Sequence, residues 1–337
     1  MNPIGENEGI KVQRAAACHL CGTEGQILYG GLRDRIFGAP GKWDLKKCPH
    51  PECGLIWLDP MPTEADIHKV YAVYYTHQAP VGEIANVGVW RILLKKVLRV
   101  RKLAYYRLLH LTGIDQARFN VATMYLANNK PGKLLEVGCG NGAFLHRMRS
   151  LGWEVQGVEV DPQAAKIAER VLGIPVDAGP LEAADYPCAC FDAVTMNHVI
   201  EHVHRPVDLL RECKRVLKPG GHLVVVTPNV KSLGHIRYKR NWRGLEPPRH
   251  LHLFFQSTLE NSAKKAGFQK IETWTTPANA EVIALGSIHI QFGGHKILAS
   301  LPSLTRELMS VWFQLRALAY HRKDPSSGEE VVLRAST

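Results

Sequence analysis

The chain has 337 residues, is 45% apolar and carries a formal net charge of +11. That length suits one large domain or two smaller ones, and no apolar run reaches the ~18 residues of a membrane span. The excess of cations favours anionic partners such as nucleic acid, nucleotide sugars or lipid surfaces and does not choose among them. The first residues, MNPIGENEGIKVQR, lack the apolar core of a signal peptide. Four of the eight cysteines fall within the first 53 residues and the others are scattered. This does not suggest a secreted disulfide framework, so the expected location is cytoplasmic.

In chain order, Cys18-His-Leu-Cys21-Gly and Cys48-Pro-His-Pro-Glu-Cys53-Gly come first. Each pair can form a tight turn whose sulfurs converge. Four thiolates make a closed tetrahedral zinc site, structural rather than catalytic. His19 or His50 is the alternative to one of the cysteines. A module this small buries little core, so the metal is expected to supply its folding energy, with a core separate from the rest of the chain.

An exit strand, Leu55-Ile-Trp-Leu-Asp-Pro-Met-Pro, is followed by a helix capped by Thr63 and running to Tyr71, Tyr74 and Tyr75. Residues 84–114 hold no acid, and Arg91, Lys95, Arg99 and Lys102 recur as a basic stripe beside Trp90, Leu94, Val97 and Leu98. That stretch is either a cover helix with a solvated basic face, a helix lying on an anionic membrane, or a phosphate contact.

After the Asn128-Asn-Lys-Pro-Gly turn, strands and helices alternate. Strands are expected at 133–137, 154–159, about 175–177, 191–196 and 221–227, with helices at 142–151, 162–172 and 205–216. This is a doubly wound, Rossmann-like α/β sheet. Strands at 269–275 and 330–334 complete seven strands, the seventh antiparallel. Between them, 277–325 is an inserted apolar and basic segment: a lid, a dimer surface, or a substrate or membrane contact. The domains expected are a ribbon over 1–62, a helical region over 63–124 and a catalytic domain over 125–337.

Lys133–Leu145, KLLEVGCGNGAFL, runs from strand through a glycine turn into a helix. Backbone can there approach a nucleotide-like ligand, and a side chain at Gly138 or Gly140 would fill that ligand's space. Glu136 can receive an ammonium. Glu159, ending the next strand, is spaced to bond a ribose diol.

The pattern E-x-G-x-G-x-G resembles motif I of class I S-adenosylmethionine (SAM) methyltransferases. "RVLKPGG" (215–221), leading through an apolar strand to "TPN" (227–229), resembles the same group. The ribbon followed by "DP-x-P-T" (59–63) resembles bacterial methyltransferases linked to polysaccharide, antibiotic and lipid modification. The resemblance implies that SAM meets Glu136, Gly138, Cys139, Gly140, Gly142, Glu159, Val160, Ala178, Gly179, Asn197 and His198. It also implies a tyrosine over the SAM pocket, Tyr74 or Tyr75.

Two histidine groups follow strands on the methyl-acceptor side. His198-Val-Ile-Glu201-His202 resembles the Glu-x-x-Glu-His metal run of ubiquinone-pathway O-methyltransferases. His198 replaces its first carboxylate, which argues against Mg²⁺. In Glu246-Pro-Pro-Arg249-His250-Leu-His252, the two histidines alternate onto one face of an extended segment. His250 is the first choice of base, with His252 and His202 as alternatives; packing histidines are the other reading. The expected function is methyl transfer from SAM to an oxygen of a small molecule, saccharide or lipid-linked compound. An RNA methyltransferase and a non-catalytic SAM-binding protein are the alternatives. Against RNA, no amino-methylating N-P-P-[YF] tetrad follows the fourth strand, where Asn197-His-Val-Ile stands.

Overall fold

The structure, a computed structural model, describes residues 4–71, 107, 109–293 and 303–337. Tyr74, Tyr75 and the basic stripe of Arg91, Lys95, Arg99 and Lys102 lie outside the described residues. The central feature is a seven-stranded sheet in the order β13-β14-β11-β10-β7-β8-β9. Its strands are β7 (Lys133–Val137), β8 (Glu154–Glu159), β9 (Val176–Ala178), β10 (Phe191–Asn197), β11 (Leu217–Pro228), β13 (Lys270–Thr276) and β14 (Glu330–Ser336). The pairs among β7–β11 are parallel, and β14 runs antiparallel to both β11 and β13. The expected sheet is therefore present, with a seventh strand two residues longer than the apolar pattern suggested.

The sequence explains the pieces. Phe191, Ala193, Val194 and Met196 are all buried, as a central parallel strand covered on both faces requires. In the helix α3 (Pro162–Leu172) the Asp161 side chain accepts from Gln163 N at 2.9 Å, Pro162 sits at N1, and Gly173 closes the end at φ 60°. The strand order reverses between β7 and β10, and both strands lead into loops at their carboxyl ends, where ligands bind in such sheets.

Residues 4–62 form a three-stranded sheet, β1-β2-β6 (Ile4–Asn7, Ile10–Gln13, Met61–Pro62), and most of a second, β12-β5-β4-β3. There β3 (Gln26–Leu32), β4 (Trp43–Lys47) and β5 (Ile56–Leu58) are joined by β12 (His252–Leu253) from the far side of the chain. His252 pairs with Trp57 and Leu253 with Ile56, while Leu58 N donates to Leu251 O at 2.9 Å. One hydrophobic cluster runs from Trp43, Leu45 and Trp57 through Leu251 and Leu253 to Val137, Val158, Met196 and Leu259. The expectation of separate cores is corrected: the N-terminal strands and the seven-stranded sheet share one.

The helix expected from Thr63 does not begin there: among the described residues of this stretch, Ile67–Tyr71 is helical, as a 3₁₀ turn. Thr63 Oγ caps nothing and is buried without a partner, because Asp66 instead accepts from Lys11 N at 2.8 Å and ties the turn to β2. In the inserted segment, α7 (Ala280–Gln291) packs on α8 (Ser303–Lys323) and on α5 (Leu233–Tyr238). No helix among the described residues is long and apolar enough to cross a membrane.

Candidate functional site

The glycine turn after β7 divides its work. Gly138, Gly140 and Gly142 all have positive φ, 71°, 53° and 77°. A Cβ on Gly138 would strike Val199 Cγ2 at 2.5 Å, so this glycine is required by packing rather than by ligand space. A Cβ on Gly140 would meet nothing within 4 Å, which leaves Gly140 as the open face of the cradle. Gly142 opens α2 (Ala143–Ser150) against Ala168.

Carboxylates surround that opening. Glu136 is 4% exposed and its Oε2 has no hydrogen-bond partner among the described residues. Burial, and then the neighbouring Glu159 charge, hold its pKa well above the usual range. A buried, unpartnered carboxylate beside an open backbone turn fits an incoming ammonium. Glu159 accepts from Gly140 N at 2.7 Å and from Asp161 N at 2.9 Å, and burial raises its pKa. Both oxygens keep a second lone pair for hydroxyl donors. Cys139 is buried beside them, and burial pushes its thiol up. Val160 is 69% exposed next to Glu159, and Gly179 N donates to Glu159 O at 2.8 Å, which sets Ala178 and Gly179 along the same rim. These residues fit a ligand bearing an amine and a diol, as SAM does.

At the end of β10, Asn197 is exposed and His198 takes a left-handed φ of 55°. Its Nδ1 lies 3.2 Å from Glu201 Oε1 and its Nε2 3.0 Å from Glu330 Oε1. Burial disfavours the charged ring, but the two carboxylates outweigh it and raise the pKa to about 10. Glu201, fully buried, also accepts from Thr227 Oγ at 2.8 Å, and His198 beside it overcomes burial to hold it down at about 2. His198 is thus an imidazolium clamped between carboxylates, and Asn279 holds Glu330 from the other side at 3.1 Å.

Below it, His202 Nδ1 faces Arg249 O at 3.1 Å and the Tyr71 hydroxyl at 3.0 Å. His250 Nδ1 donates to Gly244 O at 2.8 Å, and the two imidazoles meet edge to face at 4.7 Å. Ligand atoms of Glu201, His202 and His250 lie within 4.8 Å of one another. His198 is not in that group, and one carboxylate with two imidazoles does not fit Mg²⁺, which wants oxygen. Burial lowers the pKa of both His202 and His250, the latter strongly. The pair is neutral where His198 is charged.

His252 goes elsewhere. Its ring sits 4.5 Å from that of His19 in the ribbon, and its Nε2 faces His204 O at 3.4 Å. The alternation of His250 and His252 onto one face does not occur, since only His252–Leu253 is extended while Glu246–His250 is a turn closed by Arg249 N and His250 N on Glu246 O.

The buried histidines should make the fold sensitive to acid. His250 and His252 have folded pKa values well below the ordinary value of about 6.5, because burial penalises their charged forms. As pH falls through about 6.5 the unfolded chain gains protons that these two native rings refuse, and their combined loss outweighs the opposite contribution of His198, whose folded pKa is raised to about 10, so native stability falls. Each of the two rings contributes up to about 1.4 kcal/mol per pH unit below that point. A urea midpoint equal at about pH 7.5 and 5.5 is the result that contradicts this.

In the ribbon, Cys18 Sγ and Cys53 Sγ are 3.6 Å apart, Cys21 Sγ and Cys48 Sγ 3.3 Å, and all four sulfurs lie within 4.8 Å. A tetrahedral zinc with bonds of about 2.3 Å separates its sulfurs by about 3.8 Å. The quartet fits that ion. His19 turns to His252 and is not part of the group.

Reading the sequence missed Arg249, which is fully buried and bonded to Asp34, Glu246 and Val70 O, and Glu330, the second carboxylate on His198. The partners are 215 and 132 positions away, and no local spacing marks them.

Residues 114–273 match the model of a methyltransferase domain. That segment holds the glycine turn, Glu159, the 198–202 run and His250, and stops before β14. The matched segment carries β7 to β11 of the Rossmann-like sheet, with the glycine turn at its carboxyl edge. It is 35% identical over 117 residues to a ubiquinone biosynthesis O-methyltransferase of Proteus mirabilis, covering 33% of this chain and 44% of that protein. It is 37% identical over 110 residues to the protein of the same description from Thiobacillus denitrificans, covering 31% and 47%. The chain thus spans about half the length of these relatives. Among solved structures, a SAM-dependent methyltransferase from Archaeoglobus fulgidus aligns at 16% identity with a TM-score of 0.45, covering 69% of this chain and 99% of that one.

Proposed function

We propose that the protein transfers the methyl group of SAM to an oxygen of a small-molecule, saccharide or lipid-linked methyl acceptor. The observation that carries this reading is the buried, unpartnered Glu136 beside the open Gly140 turn. The names of the relatives support oxygen as the atom methylated. SAM supplies a methyl on a sulfonium, which leaves as a thioether when the oxygen lone pair attacks in line. The protein's task is alignment and a place for the hydroxyl proton. Glu136 takes the ammonium, Glu159 the ribose and Gly140 the close backbone approach. The neutral His202–His250 pair receives the proton, and the His198 imidazolium, saturated by two carboxylates, does not. Cys18, Cys21, Cys48 and Cys53 hold one structural zinc. On α8, Leu308, Met309, Trp312 and Tyr320 are exposed, with Arg316 over the Trp312 ring at 5.1 Å. This stripe supports peripheral contact with lipid by a cytoplasmic protein.

The test is calorimetric SAM binding, together with S-adenosylhomocysteine release over a panel containing a catechol, a nucleotide sugar and a polyprenyl phosphate. Glu159→Ala should weaken SAM binding by about 1–3 kcal/mol, the scale of lost hydrogen bonds to a charged group. Unchanged affinity would place the ribose elsewhere, with Asp161 the first suspect. No SAM binding by the parent chain would sink the reading.

A further inference from the structure

The ribbon reaches the histidine pair through one buried ion pair. Arg249 is fully buried, and its Nη1 donates to Asp34 Oδ2 at 2.9 Å and to Val70 O at 3.1 Å. Its Nε donates to Glu246 Oε1 at 2.8 Å, and the Phe37 ring covers the guanidinium at 4.3 Å. Asp34 is itself held rigidly. Its oxygens accept from Ile36 N, Phe37 N and Ala39 N at 2.9–3.0 Å, so the carboxylate folds its own loop while it grips Arg249. Arg243 adds a second cation on Glu246. Two carboxylates thus face two guanidinium groups.

What Arg249 fixes is what holds His202. The Arg249 carbonyl faces His202 Nδ1, and the Tyr71 hydroxyl on the same nitrogen follows directly on Val70, whose carbonyl the guanidinium grips. With a carbonyl as partner, Nδ1 carries the proton and Nε2 is left as the bare, basic nitrogen. His250, next in the chain, likewise gives Nδ1 to a carbonyl, Gly244 O, while its Nε2 lies 3.8 Å from Glu246 Oε2.

We propose that Asp34, a ribbon residue, is a positioning residue for methyl transfer: through Arg249 it sets the tautomer and orientation of the His202–His250 pair. The proposal rests on the reading of that pair as the proton acceptor. A lone guanidinium without Asp34 keeps Glu246 but loses its anchor in the ribbon loop. Both supports of His202 Nδ1 are then free to shift.

The test uses ¹⁵N-imidazole NMR on the full chain as purified, so no methyl acceptor is needed. In the parent, His202 should show a single Nδ1–H tautomer with a slowly exchanging proton. In Asp34→Asn that signal should become a tautomer mixture, with proton exchange faster by about tenfold or more, the scale of a lost charged hydrogen bond. SAM affinity should stay within about twofold, because Glu136, Gly140 and Glu159 are untouched. Asp34→Glu should restore most of the ring order. Should Asp34→Asn not fold, Arg249→Lys reads the same point, since an ammonium cannot hold Asp34, Glu246 and Val70 O together. An Asp34→Asn or Arg249→Lys chain with the parent His202 spectrum overturns the proposal, even if its melting temperature falls. A parent His202 in mixed tautomers overturns it as well. If ring order is lost while turnover on a responsive probe from the panel is unchanged, Asp34 orders the ring without serving the reaction, and its role in methyl transfer is overturned together with the base assignment.

Discussion

Removing the zinc proposed for the ribbon should unfold the whole chain in one transition. Zinc held by four thiolates contributes about 10–16 kcal/mol in small metal modules, as much as the total stability of a typical domain. Were the ribbon independent, only its own residues would melt. It is not independent, because β12 completes its sheet, Arg249 and Asp34 pair in the dry interior, and Trp43 and Trp57 belong to the same apolar cluster as Val137 and Val158. A buried pair that loses one partner leaves an uncompensated charge, a cost of about 3–5 kcal/mol. The measurement is chelation of the purified chain, or the Cys48→Ser/Cys53→Ser variant, followed by tryptophan fluorescence and SAM titration. Trp43 and Trp57 report the ribbon, and Trp153 and Trp274 report the sheet. Zinc-free protein that loses only the ribbon signal and still binds SAM at parental affinity would show two separable units. Zinc retained by the double variant would put the ligands elsewhere.

That outcome was hidden in the sequence for a physical reason. The sheet and the cradle were legible because their signals are local: apolar strands of regular length, glycines at fixed offsets, and an acid closing the next strand. The cysteine quartet was legible because paired turns bring thiols together whatever surrounds them. β12 carries no such mark. It is two residues long, and its register partner, Trp57, lies nearly two hundred positions away. The sequence shows Arg249 as one basic residue among many, and only the fold brings Asp34 to it. The histidines divide on the same line. His202 and His250 could be named as candidates from their places after β10 and β11, but their protonation could not. Burial makes them neutral, while two carboxylates, one from the last strand, keep His198 charged.

Replacing His202 or His250 by Gln should lower turnover about 10²–10⁴-fold, the usual contribution of a positioned base, while SAM affinity is unchanged. The base must be neutral to accept the proton, so the pair's apparent pKa appears as the acid limb of the pH profile. That limb should lie below the unperturbed histidine value of about 6.5, since burial lowers both rings. Activity should be flat above about pH 7 and fall as the pair protonates. The two rings touch at 4.7 Å and share Glu201, so they titrate as one unit and the limb belongs to neither alone. A unit also predicts non-additivity, with the double Gln variant little worse than the weaker single one. The substrate is the methyl acceptor that responds in the panel. Both single variants within a few-fold of the parent would make the pair structural. A tenfold rise in KM at constant kcat would instead mark the residue as a binding group. Loss of SAM affinity in either variant would mean that the ring supports the cofactor cradle through Val199, which packs against Gly138 three residues before His202. The base would then have to be sought outside this pair.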